Sequence, residues 1–243
     1  MTKNVHRTCI SNRPTRFVRM LGLGAIAMVV PLYLPPQNIF AKPPASAAAE
    51  PAWQSLFDGK TLGKWQVSDF AGHGEPTVEE GAILLPFGET LTGVTFTGEV
   101  PKINYEVELE ARKLDGADFF CGLTFPYKDT YASLILGGWG GTVCGISSLD
   151  GKDAARNDTK SSHRFEKNKW YTVRLRVTAD KLEAWVDAEK IVDVATTGRK
   201  VSTRTEIDAG KPFGISSYQT TAAVRKIQLR NLSVNEAAGK APK

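Results

Sequence analysis

Twenty-seven residues constrain this chain more than any others: NKWYTVRLRVTADKLEAWVDAEKIVDV, Asn168 to Val194. Apolar and polar side chains alternate through it with a period of two, the period of a pleated strand with one face buried. Tyr171, Val173, Leu175 and Val177 fall on one side, and Trp170, Thr172, Arg174 and Arg176 on the other. After the Ala179-Asp180 turn the alternation resumes, with Leu182, Ala184 and Val186 opposed by Lys181, Glu183, Trp185 and Asp187. β-Branched residues and the absence of a 3.6-residue repeat exclude a helix here, so the stretch predicts an antiparallel meander.

Short strand-like runs recur on both sides of it, separated by turn signals at Asp58-Gly59, Gly72 to Gly74, Gly81, Gly88, Asp115-Gly116, Gly137-Gly138, Gly140-Gly141 and Asp150-Gly151. Candidate strands begin with Trp53 to Phe57, Trp65 to Val67, Ala82 to Leu85 and Gly93 to Phe96. They continue with Ile103 to Lys113, Phe119 to Phe125, Tyr131 to Leu136 and Thr142 to Ser147, and close with Phe213 to Tyr218 and Val224 to Val234. Such spacing implies an all-β sandwich or jelly roll. In the long run, Tyr105, Val107, Leu109 and Ala111 form the inward set, and Glu106, Glu108 and Glu110 point outward, where Arg174 and Arg176 of a neighbouring strand could meet them. No helix is predicted. Asp150 to Lys169 is a polar connection of about 20 residues, long enough to be functional or mobile.

The first residues read differently. Lys3, Arg7, Arg13, Arg16 and Arg19 precede an apolar run from Met20 to Leu34, followed by small residues, which is the pattern of a secretory leader with cleavage after Ala41 or Ala47. The apolar run is short for a membrane span and is broken by Pro31, so no stable anchor is expected after processing. The expected organisation is therefore a leader over 1–47, a flexible lead over 48–52, one domain over 53–234 and a flexible tail over 235–243, in a periplasmic or extracellular protein. Six of the 31 Lys and Arg and none of the 26 Asp and Glu lie within 1–47, leaving 25 against 26. The basic character belongs to the leader, and nucleic acid is not an expected partner. Cys121 and Cys144 remain after processing; they would pair in an oxidising compartment if their strands adjoin, and otherwise are buried thiols.

Several residues carry candidate chemistry. Trp139 stands within Gly137-Gly138-Trp139-Gly140-Gly141, where its ring either offers a platform for a sugar or folds back over a sheet edge. Asp150, Asp153, Asn157 and Asp158 supply oxygen ligands within LDGKDAARND, but not at the spacing of an EF-hand; a solvated loop is the default, and no metal is expected. Asp150, Asp153 and Arg156 lie in a long loop of the kind that carries function at the rim of a rigid sheet. His73 and His163 sit in polar contexts, Gly72-His73-Gly74-Glu75 and Ser161-Ser162-His163-Arg164, where either could serve as acid or base or simply as a surface residue. No nucleophile elbow or phosphate-cradling glycine loop is present.

LFDGKTLGKW at Leu56 to Trp65, the Tyr105 to Arg112 strand, FFCGLTF from Phe119, NKWYTVRLRV and GKPFGISSYQTTAAVRKIQLRNL from Gly210 resemble the 3-keto-disaccharide hydrolase domain family over roughly Trp53 to Val234. That resemblance implies a concanavalin-like jelly-roll sandwich of two antiparallel sheets, one of them concave and carrying a sugar site. It also implies cleavage of glycosides oxidised to a ketone at carbon 3, with no cofactor needed for the cleavage step. A carbohydrate ligand follows, with His163, Asp150 and Asp153 as candidate catalytic residues and Trp139, Arg156, Tyr131 and His73 as candidate ligand contacts. The family shows Asn-Ser-Gly where this chain has Phe120-Cys121-Gly122, and Tyr-Glu-x-Gln where it has Tyr131-Ala132-Ser133-Leu134. Strand parity then predicts that Phe120, Ala132 and Leu134 look out from the concave face and make it apolar. A non-catalytic glycan-binding module, or a module docking a protein partner on that face, are the alternatives.

Overall fold

The structure is a computed structural model and describes residues 51–239. The leader assigned to 1–47, with its cleavage sites, lies outside the described residues, as do 48–50 of the lead and 240–243 of the tail.

In chain order the strands are β1 (Gln54–Ser55), β2 (Trp65–Val67), β3 (Thr77–Glu79), β4 (Ala82–Leu85), β5 (Leu91–Phe96), β6 (Tyr105–Gly116), β7 (Cys121–Tyr127) and β8 (Thr130–Gly137). There follow β9 (Val143–Ile146), β10 (Ser161–Ser162), β11 (Trp170–Val177), β12 (Lys181–Val186), β13 (Glu189–Ala195), β14 (Gly214–Tyr218) and β15 (Thr220–Asn231). They form two antiparallel sheets. One runs β13-β12-β11-β6-β15-β4-β3 with β1 also paired to β15; the other runs β10-β9-β8-β7-β14-β5-β2. This is the all-β, concanavalin-like jelly roll expected from the alternation and the turn spacing.

The meander pairs as its pattern requires, Val173 opposite Val186 and Leu175 opposite Ala184. Tyr171, Val173, Leu175, Val177, Leu182, Ala184 and Val186 join Tyr105, Val107, Leu109 and Ala111 in one core cluster between the sheets. On the solvent side the glutamates of β6 meet arginines: Arg176 Nε donates to Glu106 Oε1 at 2.7 Å, Arg230 Nε to Glu106 Oε2 at 2.8 Å, and Arg225 Nε to Glu110 Oε2 at 2.6 Å. Trp170 is held between Arg112 and Arg225, whose guanidinium carbons lie 4.5 and 4.0 Å from the ring centroid.

Three expectations meet an outcome here, two as corrections and one, the cysteines, as the second of its two alternatives. Phe120, Ala132 and Leu134 do not look outward; all three are buried in the core between the sheets. Directly opposed residues of an antiparallel pair share a face, and the register sets Cys121 against Leu136, Leu123 against Leu134 and Phe125 against Ala132. If Cys121 points inward, Ala132 and Leu134 must as well, while Phe120 precedes β7 and escapes its alternation. The outward set is Gly122, Thr124, Ser133, Ile135 and Ser216, so Phe120, Ala132 and Leu134 do not make that face apolar. Second, Cys121 and Cys144 are free. Leu136 stands between them, paired to both, which separates them by two strand spacings, about 9 to 10 Å, where a disulfide needs about 4.4–6.8 Å. Burial pushes the Cys121 thiol up to about 12 and that of Cys144 to about 11. Third, a short helix α1 (Val234–Ala237) closes the domain within the stretch read as a tail. Ser233 and Glu236 form a capping box at its start.

The long connection after β9 is fastened by one side chain. Asn157 Nδ2 donates to the carbonyls of Ile146, Lys152 and Asp153, and its Oδ1 accepts from Thr159. A second segment, 198–212, runs back over the outer face of the seven-stranded sheet as a strap. It is tied to β9's extension by Ser148–Ser202 backbone bonds in both directions. Farther on it passes over Thr95, whose hydroxyl donates to the Ala209 carbonyl at 2.9 Å.

Candidate functional site

The outer face of the seven-stranded sheet is built from small residues. Gly93 and Gly122 both lie opposite Ser216, one on each side of β14. A Cβ on Gly93 would stand 3.1 Å from the ring of Phe70, and one on Gly122 only 2.9 Å from the ring of Phe119. These glycines let two aromatic rings lie against the backbone. Phe119 stacks on Tyr218 with centroids 5.9 Å apart and planes at 25°.

Above this floor is a groove of about 560 Å³. Phe70, Ala71, Thr90 and Leu91 line one side, Phe119, Tyr218 and Ile135 the floor, and Arg204, Glu206 and Ile207 of the strap another wall. Trp139, Asp118 and Ser147 complete it.

Trp139 is 43% exposed and sits in the turn Gly138–Gly141 with φ +50 and ψ 54, a left-handed conformation. A carboxylate holds that turn in place. Asp118 accepts from the N–H groups of Phe119 at 2.8 Å, Trp139 at 3.2 Å and Gly140 at 3.4 Å. The ring is thus presented by backbone bonds rather than by packing, as a stacking surface needs.

Arg204 grips Glu206 through two nitrogens, Nη2 to Oε1 and Nε to Oε2. This pairing holds the Glu206 carboxyl down at about 2, so it is ionised at neutral pH. Nη1 of Arg204 takes no part in the Glu206 bonds and forms a longer ion pair, 3.7 Å, with the buried carboxylate of Asp153. Ser147, which lines the groove, is 2% exposed, and its buried hydroxyl has no partner within the protein.

Of the residues singled out in the sequence, Trp139 lines this groove, and Asp153 stands behind it against Arg204. The others are placed elsewhere. Asp150 and Asp158 both receive hydrogen bonds from Arg199, at 2.6 Å and 2.9 Å, and the carboxyl of each is held low by that guanidinium and by backbone N–H groups. Arg156 is largely exposed, 3.7 Å from Asp153. His163 packs on Phe165 and Tyr171 at the edge of the sheet, with Nδ1 2.9 Å from Glu189 Oε2. Tyr131 lies opposite Pro126, at the far end of β8, under the Lys211 ammonium. The Nδ1 of His73 bonds to the carbonyl of Gly74 at 2.7 Å. Among the described residues, no three His, Cys, Asp or Glu side chains converge to hold a metal ion, and no helix is long and apolar enough to cross a membrane.

Comparison with known proteins follows the same lines. The family model described as the 3-keto-alpha-glucoside-1,2-lyase-like domain matches residues 52–230. No curated protein matches the chain. Among solved structures, the Crh5 transglycosylase in complex with NAG superposes with a TM-score of 0.50 at 11% identity, over 77% of this chain and 85% of that one. The carbohydrate binding module CBM66 from Bacillus subtilis gives 0.47 at 12% identity, over 69% and 96%. A glycosyl hydrolase family 16 protein from Mycobacterium smegmatis gives 0.45 at 10% identity, over 73% and 98%. At such identities the likeness is one of fold.

Proposed function

The chain belongs to the 3-keto-alpha-glucoside-1,2-lyase-like domain family, a carbohydrate-active one, and from that premise we propose that it is an exported protein whose groove binds a 3-keto-glycoside and eliminates the group at carbon 1. One observation carries the reading: a guanidinium with one nitrogen outside its Glu206 bonds, an ionised carboxylate and an exposed indole line one groove. The ketone acidifies the proton on carbon 2. Glu206 takes that proton, and the electron pair of the C2–H bond moves onto the ketone oxygen, where Arg204 Nη1 donates to the enolate. As the C=O bond re-forms, the pair returns to make the C1–C2 double bond and the C1–O bond breaks, releasing the aglycone oxygen to take up a proton. Addition of water to the unsaturated sugar would complete a net hydrolysis. Asp153 is a positioning residue behind Arg204, and Asp118 positions Trp139.

Incubating the protein with a 3-keto-glucoside tests this: aglycone and an unsaturated or hydrated keto-sugar should accumulate above a buffer control, and their absence rejects the enzyme. Export rests on the leader read in 1–47, and cell fractionation that leaves the full chain in the cytoplasm would reject it. A second reading, a non-catalytic sugar-binding module, is favoured by one observation. A carboxyl held at about 2 is a weak proton acceptor. Saturable binding without product would decide for it.

Both readings place the sugar against Trp139. Trp139→Ala should weaken carbohydrate binding by more than about tenfold, the scale of one stacking contact. It should leave the melting temperature unchanged, because the ring is exposed and alanine suffers the same positive φ. Unchanged affinity in a titration would remove Trp139 from the site.

A further inference from the structure

The groove is not uniform across its width. On the β9 side stand Ser147, with its unpartnered hydroxyl, and the Arg204–Glu206 pair, which lies just past the Ser148–Ser202 tie. On the β5 side the lining becomes apolar: Phe70, Leu91 and Ile207 form a hydrophobic cluster separate from the main core, with Phe119 and Tyr218 packed against it. The same five residues line the groove. Strand order fixes this separation, since β8, β7 and β14 intervene between β9 and β5.

A sugar ring presents one apolar face and hydroxyls around its edge; Trp139 satisfies the first, and the charged side with Ser147 the second. With that one apolar face taken by Trp139, nothing is left on the ring for the β5 half. A second sugar placed there would bring its hydroxyls against Phe70, Leu91 and Ile207, where groups without partners cost more than the contact returns. We propose that the ligand is an amphipathic glycoside, whose sugar lies on the β9 side and whose aryl or other apolar aglycone fills the β5 side. The inference rests on the reading of the groove as a sugar site and names the class of group attached to carbon 1.

Equilibrium titration of the Glu206→Gln protein with phenyl 3-keto-glucoside and methyl 3-keto-glucoside, each as both anomers, tests it. The Gln removes the proton acceptor so that ligand persists. The phenyl compound should bind more than about tenfold tighter than the methyl compound of the same anomer. Introducing Ile207→Ala, and separately Leu91→Ala, should shrink that ratio to below about threefold in proteins that still unfold cooperatively. If the methyl compound binds and the phenyl compound is no tighter, the aglycone inference falls while the sugar site stands. If neither binds, the proposed function falls and takes the inference with it. Should either variant fail to fold, the ratio measured with Ile207 and Leu91 intact still decides.

Discussion

Arg204→Met should cut the turnover of a 3-keto-glucoside by about 100- to 1,000-fold, the cost of removing one preorganised donor from a developing oxyanion. The stem of methionine preserves bulk on the strap and deletes the guanidinium, with its bonds to Glu206 and its ion pair to Asp153. The Arg204 side chain is 46% exposed but its partner Asp153 is buried, so some fall in melting temperature is expected and turnover is compared where the variant is fully folded. A second readout separates this role from a structural one. With the guanidinium gone, the Glu206 carboxyl rises from about 2 toward its ordinary 4.5. A raised pKa leaves less carboxylate at low pH, so the acid limb of the rate profile should move to higher pH. Full activity in Arg204→Met, or an unchanged acid limb with residual turnover, would remove Arg204 and Glu206 from the roles assigned here.

The largest effect on stability is expected at Glu106. Its side chain is 1% exposed and holds Arg176 on one oxygen and Arg230 on the other; Arg230 in turn reaches Glu236 at 2.8 Å, the partner of Ser233 in the capping box of α1. Removing one partner of a buried ion pair leaves charge without compensation, at a cost of about 3–5 kcal/mol. Glu106→Ala should therefore lower the unfolding free energy by that amount, seen as a fall in the urea midpoint equal to it divided by an unchanged slope. Glu108→Ala, on the same strand but bonded to Gln228 at 2.9 Å rather than to an arginine, should cost less than about 1 kcal/mol. Equal losses at the two positions would mean that the arginines are solvated in the folded protein and that the network contributes little.

The fold was legible because its signal is local. Alternation from Tyr105 to Ala111 and from Tyr171 to Val186 depends only on which side of a pleat each residue occupies, and the glutamate–arginine pairing followed once two such strands were set side by side. Parity failed at Phe120, Ala132 and Leu134 because the inference joined residues on two strands without their register, and a slip of one residue exchanges the faces. The site was largely illegible for a related reason. Arg204, Glu206 and Ile207 occupy a polar stretch with no periodicity, and only the strap's crossing brings them to Trp139, about 65 residues earlier. Asp118 looks like any turn carboxylate until its three backbone donors are seen. One signal was available: Gly93 and Gly122 interrupt strand-like runs, and a glycine there marks close approach of another group. The approaching groups are the rings of Phe70 and Phe119.

The strap has a consequence for how such a protein can diversify. Arg204, Glu206 and Ile207 are consecutive or nearly so, on a segment tied down upstream at Ser202 and downstream at Ala209. Three codons therefore govern both the ionic and the greasy ends of the groove, while the sheet beneath stays untouched. Kin with different appetites would be expected to differ in this short stretch first, and swapping it between them should transfer preference without rebuilding the scaffold.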